Sequence, residues 1–202
     1  SKLQRNKLAK SVHPLLLTRG VPGTHDIQRL KNDVIKFNKG KFPIYSPLFD
    51  KLSDDKVKKT NIIKKSDILI LEGWCCGTNP LIKNYLYKNI NNLETKQDSK
   101  KVWRNYYNHK LKTEYQPLFK MFDKIIFLKA PSFKYILDWR YKQEVMNKKK
   151  LTKNKKINKK NLIEFIMHYE KITKWMLQKM PIKASLLLKI DKKQKIISII
   201  KN

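Results

Sequence analysis

Short unbroken apolar runs alternate along the chain with longer stretches in which apolar residues recur at helical spacing. Ile68 to Leu71, Ile125 to Leu128 and Leu186 to Leu188 are too short for helices and lack the polar alternation of half-exposed strands. We therefore predict three strands that are buried on both faces, with Phe42 to Tyr45 as a weaker fourth candidate. Buried strands of this kind are typical of parallel sheets.

Four helices are predicted between and after these runs. Their apolar faces contain the following residues: Ile27, Leu30, Val34 and Phe37; Val102, Trp103, Tyr106, Tyr107 and Leu111; Phe133, Ile136, Leu137 and Tyr141; Leu162, Phe165, Ile166, Tyr169, Ile172 and Met176. We expect Thr24 or Asp26 to begin the first helix and Ser132 to cap the third. The second and fourth should end before Pro117 and Pro181. Strands that alternate with helices predict an α/β fold.

The length and composition fit one globular domain over residues 1–202. The chain has 202 residues, of which 41% are apolar, and that is enough for a core of its own. No internal repeat or linker to a second domain is visible. The segment from Lys148 to Lys160 holds eight lysines in thirteen residues, so we expect either a solvated, mobile connection between two helices or a mobile basic lid.

The net charge of +31 would ordinarily suggest a nucleic-acid or anionic membrane partner. Lysine makes up 42 of the 47 basic residues, and Ile and Asn are abundant, which is the bias expected from AT-rich codons. We therefore assign no nucleic-acid or membrane partner, and nucleic-acid binding remains an alternative. The five arginines are more informative, because a site that needs a planar guanidinium does not tolerate lysine. Arg19 and Arg140 lie in dense motifs, whereas we expect Arg5, Arg29 and Arg104 on the solvated surface.

The cysteines and the hydropathy bear on the cellular setting. Cys75 and Cys76 are adjacent, so they suit neither a disulfide framework nor a zinc site, and no nearby residue indicates a lowered thiol pKa. We treat them as structural residues in a reducing compartment. No apolar run approaches the roughly 18 residues of a membrane helix, and the N-terminus has no signal-peptide pattern. A cytoplasmic, soluble protein is predicted.

The stretch TRGVPGTHD, residues 18–26, places special backbone and polar side chains directly before the first predicted helix. Gly20 and Gly23 allow a tight turn, and the helix N-terminus offers unpaired N–H groups and a positive dipole. Arg19 could clamp a carboxylate or phosphate, while His25 and Asp26 could bind hydroxyls. The stretch predicts a pocket for an anionic or polyhydroxy ligand, or else a capped turn that binds nothing.

A second candidate lies after the run from Ile68 to Leu71. Ligands of parallel α/β sheets bind beyond the carboxyl ends of the strands, and Glu72 and Gly73 follow this run directly. A carboxylate there could hold Mg²⁺, directly or through water, or could be a solvated acid. We expect His13, His168, Trp74, Trp139 and Trp175 to pack or to line a wall rather than to act in chemistry.

Several motifs in fixed order resemble the P-loop kinases similar to D-glycerate 3-kinase, including bacterial kinase-like proteins of that group. They are HPLLLTRGVPGTHD (13–26), PLFDKLSDDK (47–56), ILILEGWCCG (68–77), LKAPSF (128–133), WRYKQE (139–144) and FIMHYEKITKWMLQKMP (165–181). The resemblance runs from about Leu3 to Asp191. It implies a P-loop NTPase-like kinase fold, with a parallel sheet flanked by helices, and ATP- and Mg²⁺-dependent phosphoryl transfer to a small hydroxy acid such as glycerate.

The resemblance also implies roles for individual residues. The acceptor pocket would be lined by Arg19, Gly23, Thr24, His25 and Asp26, and closed by Asp50, Lys51 and Asp55. Glu72 would lie at the Mg²⁺ edge, and Arg140, on a lid helix, would meet the transferring phosphoryl group. Arg140 could instead simply pair with Glu144 one turn later.

Two features depart from the family pattern. Lys56 stands where the family usually has arginine, and no Walker A sequence G-x-x-x-x-G-K-[ST] occurs in the chain. In the family, the P-loop βαβ unit and a second strand precede the region that matches Leu3. We therefore expect a kinase whose N-terminal βαβ unit is lacking in this sequence. The alternative is a catalytically inactive remnant that acts as a binding module.

Overall fold

The computed structural model describes residues 1–50, 53–150 and 159–202, with residues 147–150 described by their backbone alone. Lys51 and most of the lysine-rich segment 148–160 lie outside the described residues. The described chain forms two compact units, one of residues 1–80 and 101–121 and the other of residues 81–100 and 122–202. The prediction of one kinase-like domain over residues 1–202 concerns both units together and stays a prediction.

The first unit, which we call unit 1, begins with helices and continues into a hairpin. Its elements are α1 (Lys2–Ser11), a 3-10 turn (Pro14–Leu17), α2 (Ile27–Asn38), β1 (Ile44–Asp50), β2 (Asp55–Ile63), α5 (Val102–Lys110), a π-helical segment (Leu111–Tyr115) and α6 (Gln116–Phe119). Strands β1 and β2 pair antiparallel, from Ile44 opposite Ile63 to Asp50 opposite Asp55. The most deeply buried apolar residues of the unit are Leu16, Val21, Trp103, Tyr107, Leu111 and Leu118.

The second unit, unit 2, contains a three-stranded sheet and two long helices. Its elements are α3 (Lys83–Tyr87), α4 (Asn92–Gln97), β3 (Ile126–Lys129), α7 (Phe133–Lys150), α8 (Lys159–Lys183), β4 (Leu186–Ile190) and β5 (Ile196–Lys201). The strand order is β3-β4-β5, with β3 parallel to β4 and β5 antiparallel to it. Leu187 points to the covered face and is buried, whereas Ile126, Leu128, Ile197 and Ile199 are largely exposed.

The mixed α/β class is confirmed, but the sheet differs from the expected parallel one. Two of the predicted strands form the parallel pair β3 and β4, while β1 and β2 make an antiparallel hairpin. The prediction of a buried strand from Ile68 to Leu71 is wrong. These residues pair with no strand among the described residues, and Ile68 and Ile70 are 75% and 84% exposed. A strand needs a partner for its backbone groups, and the described residues supply none there.

The predicted helices form, with different ends. Helix α2 begins at Ile27 with Asp26 as its N-cap, as expected. The helix from Val102 does not end before Pro117, because the π-helical segment leads into α6 with the proline in its first turn, where a missing N–H costs little. Likewise, α8 continues past Pro181 to Lys183, so the proline lies in its final turn. None of the described helices is both long and apolar enough to cross a membrane.

Two arginines expected on the surface are buried. Arg5 is 3% exposed and Arg104 is fully buried. Arg5 donates from Nε to the carbonyl of Leu17 at 3.1 Å and from Nη2 to the carbonyl of Asp54 at 3.0 Å. Arg5 therefore links α1 to the hairpin turn through backbone carbonyls. Every residue has such a carbonyl, so the sequence does not indicate these contacts. Arg29 keeps a half-exposed position and donates to the carbonyl of Tyr45.

Candidate functional site

The turn of residues 18–26, which we call the 18–26 turn, is held by hydrogen bonds from inside unit 1. The hydroxyl of Thr24 donates to the carbonyl of Val21 at 2.7 Å and accepts the N–H of Gly20 at 3.0 Å. The indole of Trp74 donates to the carbonyl of Gly20 at 2.7 Å. Thr24 and Trp74 thus fix the backbone of the turn.

Gly23 occupies a position that only glycine fits well. Its φ is +91°, and a Cβ built on it would lie 2.7 Å from Cε1 of Tyr106 and 3.0 Å from Cγ of Lys110. The left-handed backbone and the close approach of α5 both require the absence of a side chain. The sequence-based expectation of a tight turn at this glycine is confirmed.

Arg19 is held by an acidic residue that the sequence analysis did not single out. Nη1 of Arg19 pairs with Oδ1 of Asp54, and Arg5 pairs with Oδ2 of the same carboxylate. The guanidinium of Arg19 also lies 4.9 Å from the ring centroid of Phe49. Asp54 adopts a left-handed φ of +56°, which aspartate tolerates better than most residues. The hairpin turn between β1 and β2 therefore sets the direction of Arg19.

The same hairpin turn contacts the start of α2. Asp26 caps that helix through the N–H of Arg29 and accepts a hydrogen bond from Nζ of Lys56 at 2.7 Å. This bond with Lys56 lowers the pKa of Asp26. Lys56 thus places a cation beside the 18–26 turn.

The other predicted acids stabilise the hairpin turn. Oδ2 of Asp50 accepts the N–H of Ser53, and Oδ1 of Asp55 accepts the N–H groups of Lys56 and Lys2. The backbone N–H of Lys56 lowers the pKa of Asp55, which stays at the surface. Both acids therefore lie on the element that holds Arg19 and Lys56, and their predicted contact with a substrate stays a prediction.

His25 contacts a buried tyrosine from the π-helical segment. Nδ1 of His25 lies 2.6 Å from the hydroxyl oxygen of Tyr115, which also accepts the N–H of Gly23 at 3.1 Å. Desolvation lowers the pKa of His25, although the residue keeps exposed surface. Tyr115 was missed by sequence reasoning, because ninety positions separate it from His25 and no local pattern connects the two.

Glu72 and its neighbours form an exposed loop ahead of a buried turn. Glu72 is exposed, whereas Cys75 is buried and Cys76 is half-buried. Desolvation raises the pKa of Cys75, and it raises the pKa of Cys76 to about 11. Such thiols are poor nucleophiles, in agreement with a structural role.

The residues present do not complete a site for ATP and Mg²⁺. The sequence has no Walker A loop to bind phosphates, and the described residues contain no group of three or more His, Cys, Asp or Glu side chains that could hold a metal. Glu72 offers a carboxylate of the type that Mg²⁺ prefers, but Mg²⁺ requires further oxygen ligands.

Arg140 lies in unit 2, on α7. Its guanidinium pairs with Glu144 and donates from Nη1 to Oε1 of Gln143 at 2.6 Å, and it lies 5.6 Å from the ring centroid of Phe165. This ion pair with Glu144 is the alternative that the sequence analysis gave to a catalytic role for Arg140. The role at the transferring phosphoryl group stays a prediction.

The residues expected to pack are placed accordingly. His168 is buried, with Nδ1 3.0 Å from the carbonyl of Glu164, and Trp175 is 5% exposed. Trp139 donates from its indole to the carbonyl of Lys192. Nδ1 of His13 accepts the N–H of Leu15 at the start of the 3-10 turn.

The chain is similar in sequence and in fold to proteins that are described as kinases. Over 167 residues the chain is 31% identical to an uncharacterized kinase, mug58, of Schizosaccharomyces pombe; the match covers 78% of this chain and 58% of the relative. The chain is thus similar in sequence to this kinase over most of its own length, and the predicted resemblance to kinases is confirmed. No family model matches the chain.

Two solved structures share the fold of this chain. D-Glycerate 3-kinase from Cryptococcus neoformans var. grubii superposes with a TM-score of 0.79 at 21% identity, covering 99% of this chain and 75% of that one. The YGR205w protein superposes with a TM-score of 0.76 at 24% identity, covering 100% and 74%. The chain thus spans about three quarters of these structures and 58% of the curated relative.

Proposed function

We propose that the complete protein transfers a phosphoryl group from ATP to a small hydroxy acid of the glycerate type, bound at the 18–26 turn. The observation that carries the proposal is that the 18–26 turn contains Arg19 and His25, and that Lys56 of the adjoining hairpin pairs with Asp26 of the same turn. Cationic donors bind a carboxylate strongly, and a neutral imidazole can hydrogen-bond to a hydroxyl. The solved D-glycerate 3-kinase of the same fold supports this acceptor class.

In this proposal the residues of unit 1 bind and orient the acceptor. Arg19, directed by Asp54, binds the carboxylate, and His25 binds an oxygen of the acceptor. Gly23 and Thr24 shape the turn, Asp26 holds Lys56 in place, and the hairpin turn with Asp50, Lys51 and Asp55 closes the pocket. Oriented binding of this kind lowers the entropic part of the barrier.

The proposal requires a further part of the protein to bind ATP with Mg²⁺, for which Glu72 would supply one oxygen ligand. Each unit also exposes apolar side chains. Ile68 and Ile70 are exposed beside the predicted metal position, and the sheet of unit 2 exposes Ile126, Leu128, Ile197 and Ile199 on one face. Strands this apolar are normally covered on both faces in α/β proteins. Free Cys75 and Cys76 fit a reducing, cytoplasmic setting.

We expect Arg19→Lys to raise the acceptor KM by roughly tenfold or more while kcat changes less, because lysine cannot reproduce a bidentate contact with a carboxylate. The measurement is ATP-dependent phosphorylation of D-glycerate by the complete protein, with other small hydroxy acids in parallel. Arg29→Lys is the matched control, since Arg29 lies on α2 and donates to a backbone carbonyl. Failure of the complete protein to phosphorylate any hydroxy acid would favour the inactive remnant instead.

For Arg140→Lys we expect the opposite division, with kcat lowered by roughly tenfold or more and a smaller change in KM. The developing charge on the transferring group is greatest in the transition state, so a guanidinium that contacts it there affects kcat. The same assay measures this effect. If Glu144→Gln lowers kcat as much as Arg140→Lys, the ion pair within α7 would account for the result without a catalytic contact.

A further inference from the structure

The hydroxyl group of Tyr115 connects the backbone of the 18–26 turn with the ring of His25. Tyr115 is 2% exposed, and its hydroxyl oxygen lies 3.1 Å from the nitrogen of Gly23 and 2.6 Å from Nδ1 of His25. The rings of Tyr115 and His25 meet edge to face, with centroids 6.0 Å apart. Tyr115 also packs edge to face on Phe119, so its ring is held from a second side.

The two contacts determine where the hydroxyl proton lies. The N–H of Gly23 is a donor, so it must donate to the hydroxyl oxygen of Tyr115. A tyrosine hydroxyl carries one proton, and within the described residues its other contact is Nδ1 of His25. A buried hydroxyl that found no acceptor would lose a hydrogen bond, so the proton is directed to Nδ1. Nδ1 then accepts, and the proton of the neutral imidazole resides on Nε2.

We propose that Tyr115 is a positioning residue that fixes His25 as the Nε2–H tautomer and so presents a neutral hydrogen-bond donor at the 18–26 turn. Its partner in a ligand would be an oxygen atom with a lone pair, in a hydroxyl or a carboxylate group. The part that concerns the ligand rests on the proposed function, whereas the tautomer rests on the geometry alone.

Two further observations support this assignment. Desolvation lowers the pKa of His25, which favours the neutral ring that the proposal needs. Desolvation also raises the pKa of Tyr115, so the phenol keeps its proton and can donate it. An imidazolium would present N–H groups at both nitrogens, and Tyr115 would then lose its acceptor at Nδ1.

The π-helical segment explains why Tyr115 can reach the turn. In this segment, residues Leu111–Tyr115, the backbone is wider than in an α-helix, and the rotation of side chains about the axis changes locally. Leu111 remains fully buried at its start, and Tyr115 follows at its end with its hydroxyl directed at Gly23 and His25. Such segments are frequent at functional sites, and here the segment carries the group that orients a predicted ligand-binding residue.

The tautomer is tested by long-range 1H–15N NMR of the 202-residue chain labelled at histidine. We expect His25 to show a protonated Nε2 and an unprotonated, hydrogen-bonded Nδ1, and we expect the Nδ1 resonance to shift in Tyr115→Phe. Tyr106→Phe is the matched control, because its ring packs against Gly23 without a hydrogen bond to His25 among the described contacts. A protonated Nδ1 in the wild-type chain, or an Nδ1 resonance that Tyr115→Phe leaves unchanged, would overturn the proposal.

A double-mutant cycle in the complete protein tests the link to ligand binding. Tyr115→Phe should raise the acceptor KM several-fold, roughly threefold to tenfold, with little change in kcat, and should have no further effect in a His25→Ala background. Equal effects in both backgrounds would show that Tyr115 does not act through His25. If the wild-type protein phosphorylates no hydroxy acid, the proposed function fails while the NMR result still decides the tautomer.

Discussion

Glu94→Gln is expected to lower the free energy of unfolding of the chain by about 3 to 5 kcal/mol, as is typical when one partner of a buried ion pair is removed. Glu94 on α4 and Lys171 on α8 are fully buried, with Oε2 and Nζ 3.2 Å apart. Lys171 also donates to the carbonyls of Tyr85 and Lys88, and Glu94 accepts the N–H of Ile90. The variant would leave the ammonium group of Lys171 buried without the charge of Glu94.

Urea unfolding followed by circular dichroism measures this effect. Lys174→Gln is the matched control, because it removes a pair with Glu170 on the same helix in which the lysine is 41% exposed, and it should change stability by less than about 1 kcal/mol. Glu94→Gln combined with Lys171→Met should recover at least about 1 kcal/mol, since neither member of the pair is then charged. Recovery should be incomplete, because the carbonyls of Tyr85 and Lys88 lose a donor. A double variant less stable than Glu94→Gln would contradict the argument.

Gly23→Ala should destabilise unit 1 and distort the 18–26 turn. A left-handed backbone costs an alanine roughly 1 to 2 kcal/mol, and crowding against Tyr106 and Lys110 adds about 1 to 3 kcal/mol. Gly40→Ala separates the two contributions, because Gly40 also has a positive φ but a Cβ there would meet no atom within 4 Å. Thermal and urea unfolding of both variants measure the difference. Equal losses of stability would show that crowding at Gly23 is relieved by movement of the two side chains.

The sequence predicts those parts of the fold in which local pattern and packing agree. Helix α2 with its cap Asp26 and the pair β3 and β4 follow from periodicity and apolar runs. The run from Ile68 to Leu71 has the same pattern but no partner strand among the described residues, and pairing is a non-local property. Strand β2 was not predicted, because its sequence is largely polar and shows no apolar run. It forms through its antiparallel pairing with β1, which the local sequence does not indicate.

The candidate site shows the same division. The glycine turn and Arg19 were predictable because their residue types are unusual in a chain rich in lysine. Asp54 and Arg5 were not, because their interaction joins positions 49 apart and each looks like an ordinary surface charge. Tyr115 lay within a predicted helical region, but only the π-helical geometry directs its hydroxyl to His25.

The exposed run from Ile68 to Leu71 also affects how the chain behaves in concentrated solution. Four consecutive apolar residues that pair with no strand among the described residues can add to a strand of another molecule. Asp67 and Glu72 flank the run, and charges at such positions oppose intermolecular pairing. Neutralising Glu72 to probe metal binding would therefore also promote self-association. Activity lost in such a variant must be compared at equal monomer concentration before it is attributed to the metal.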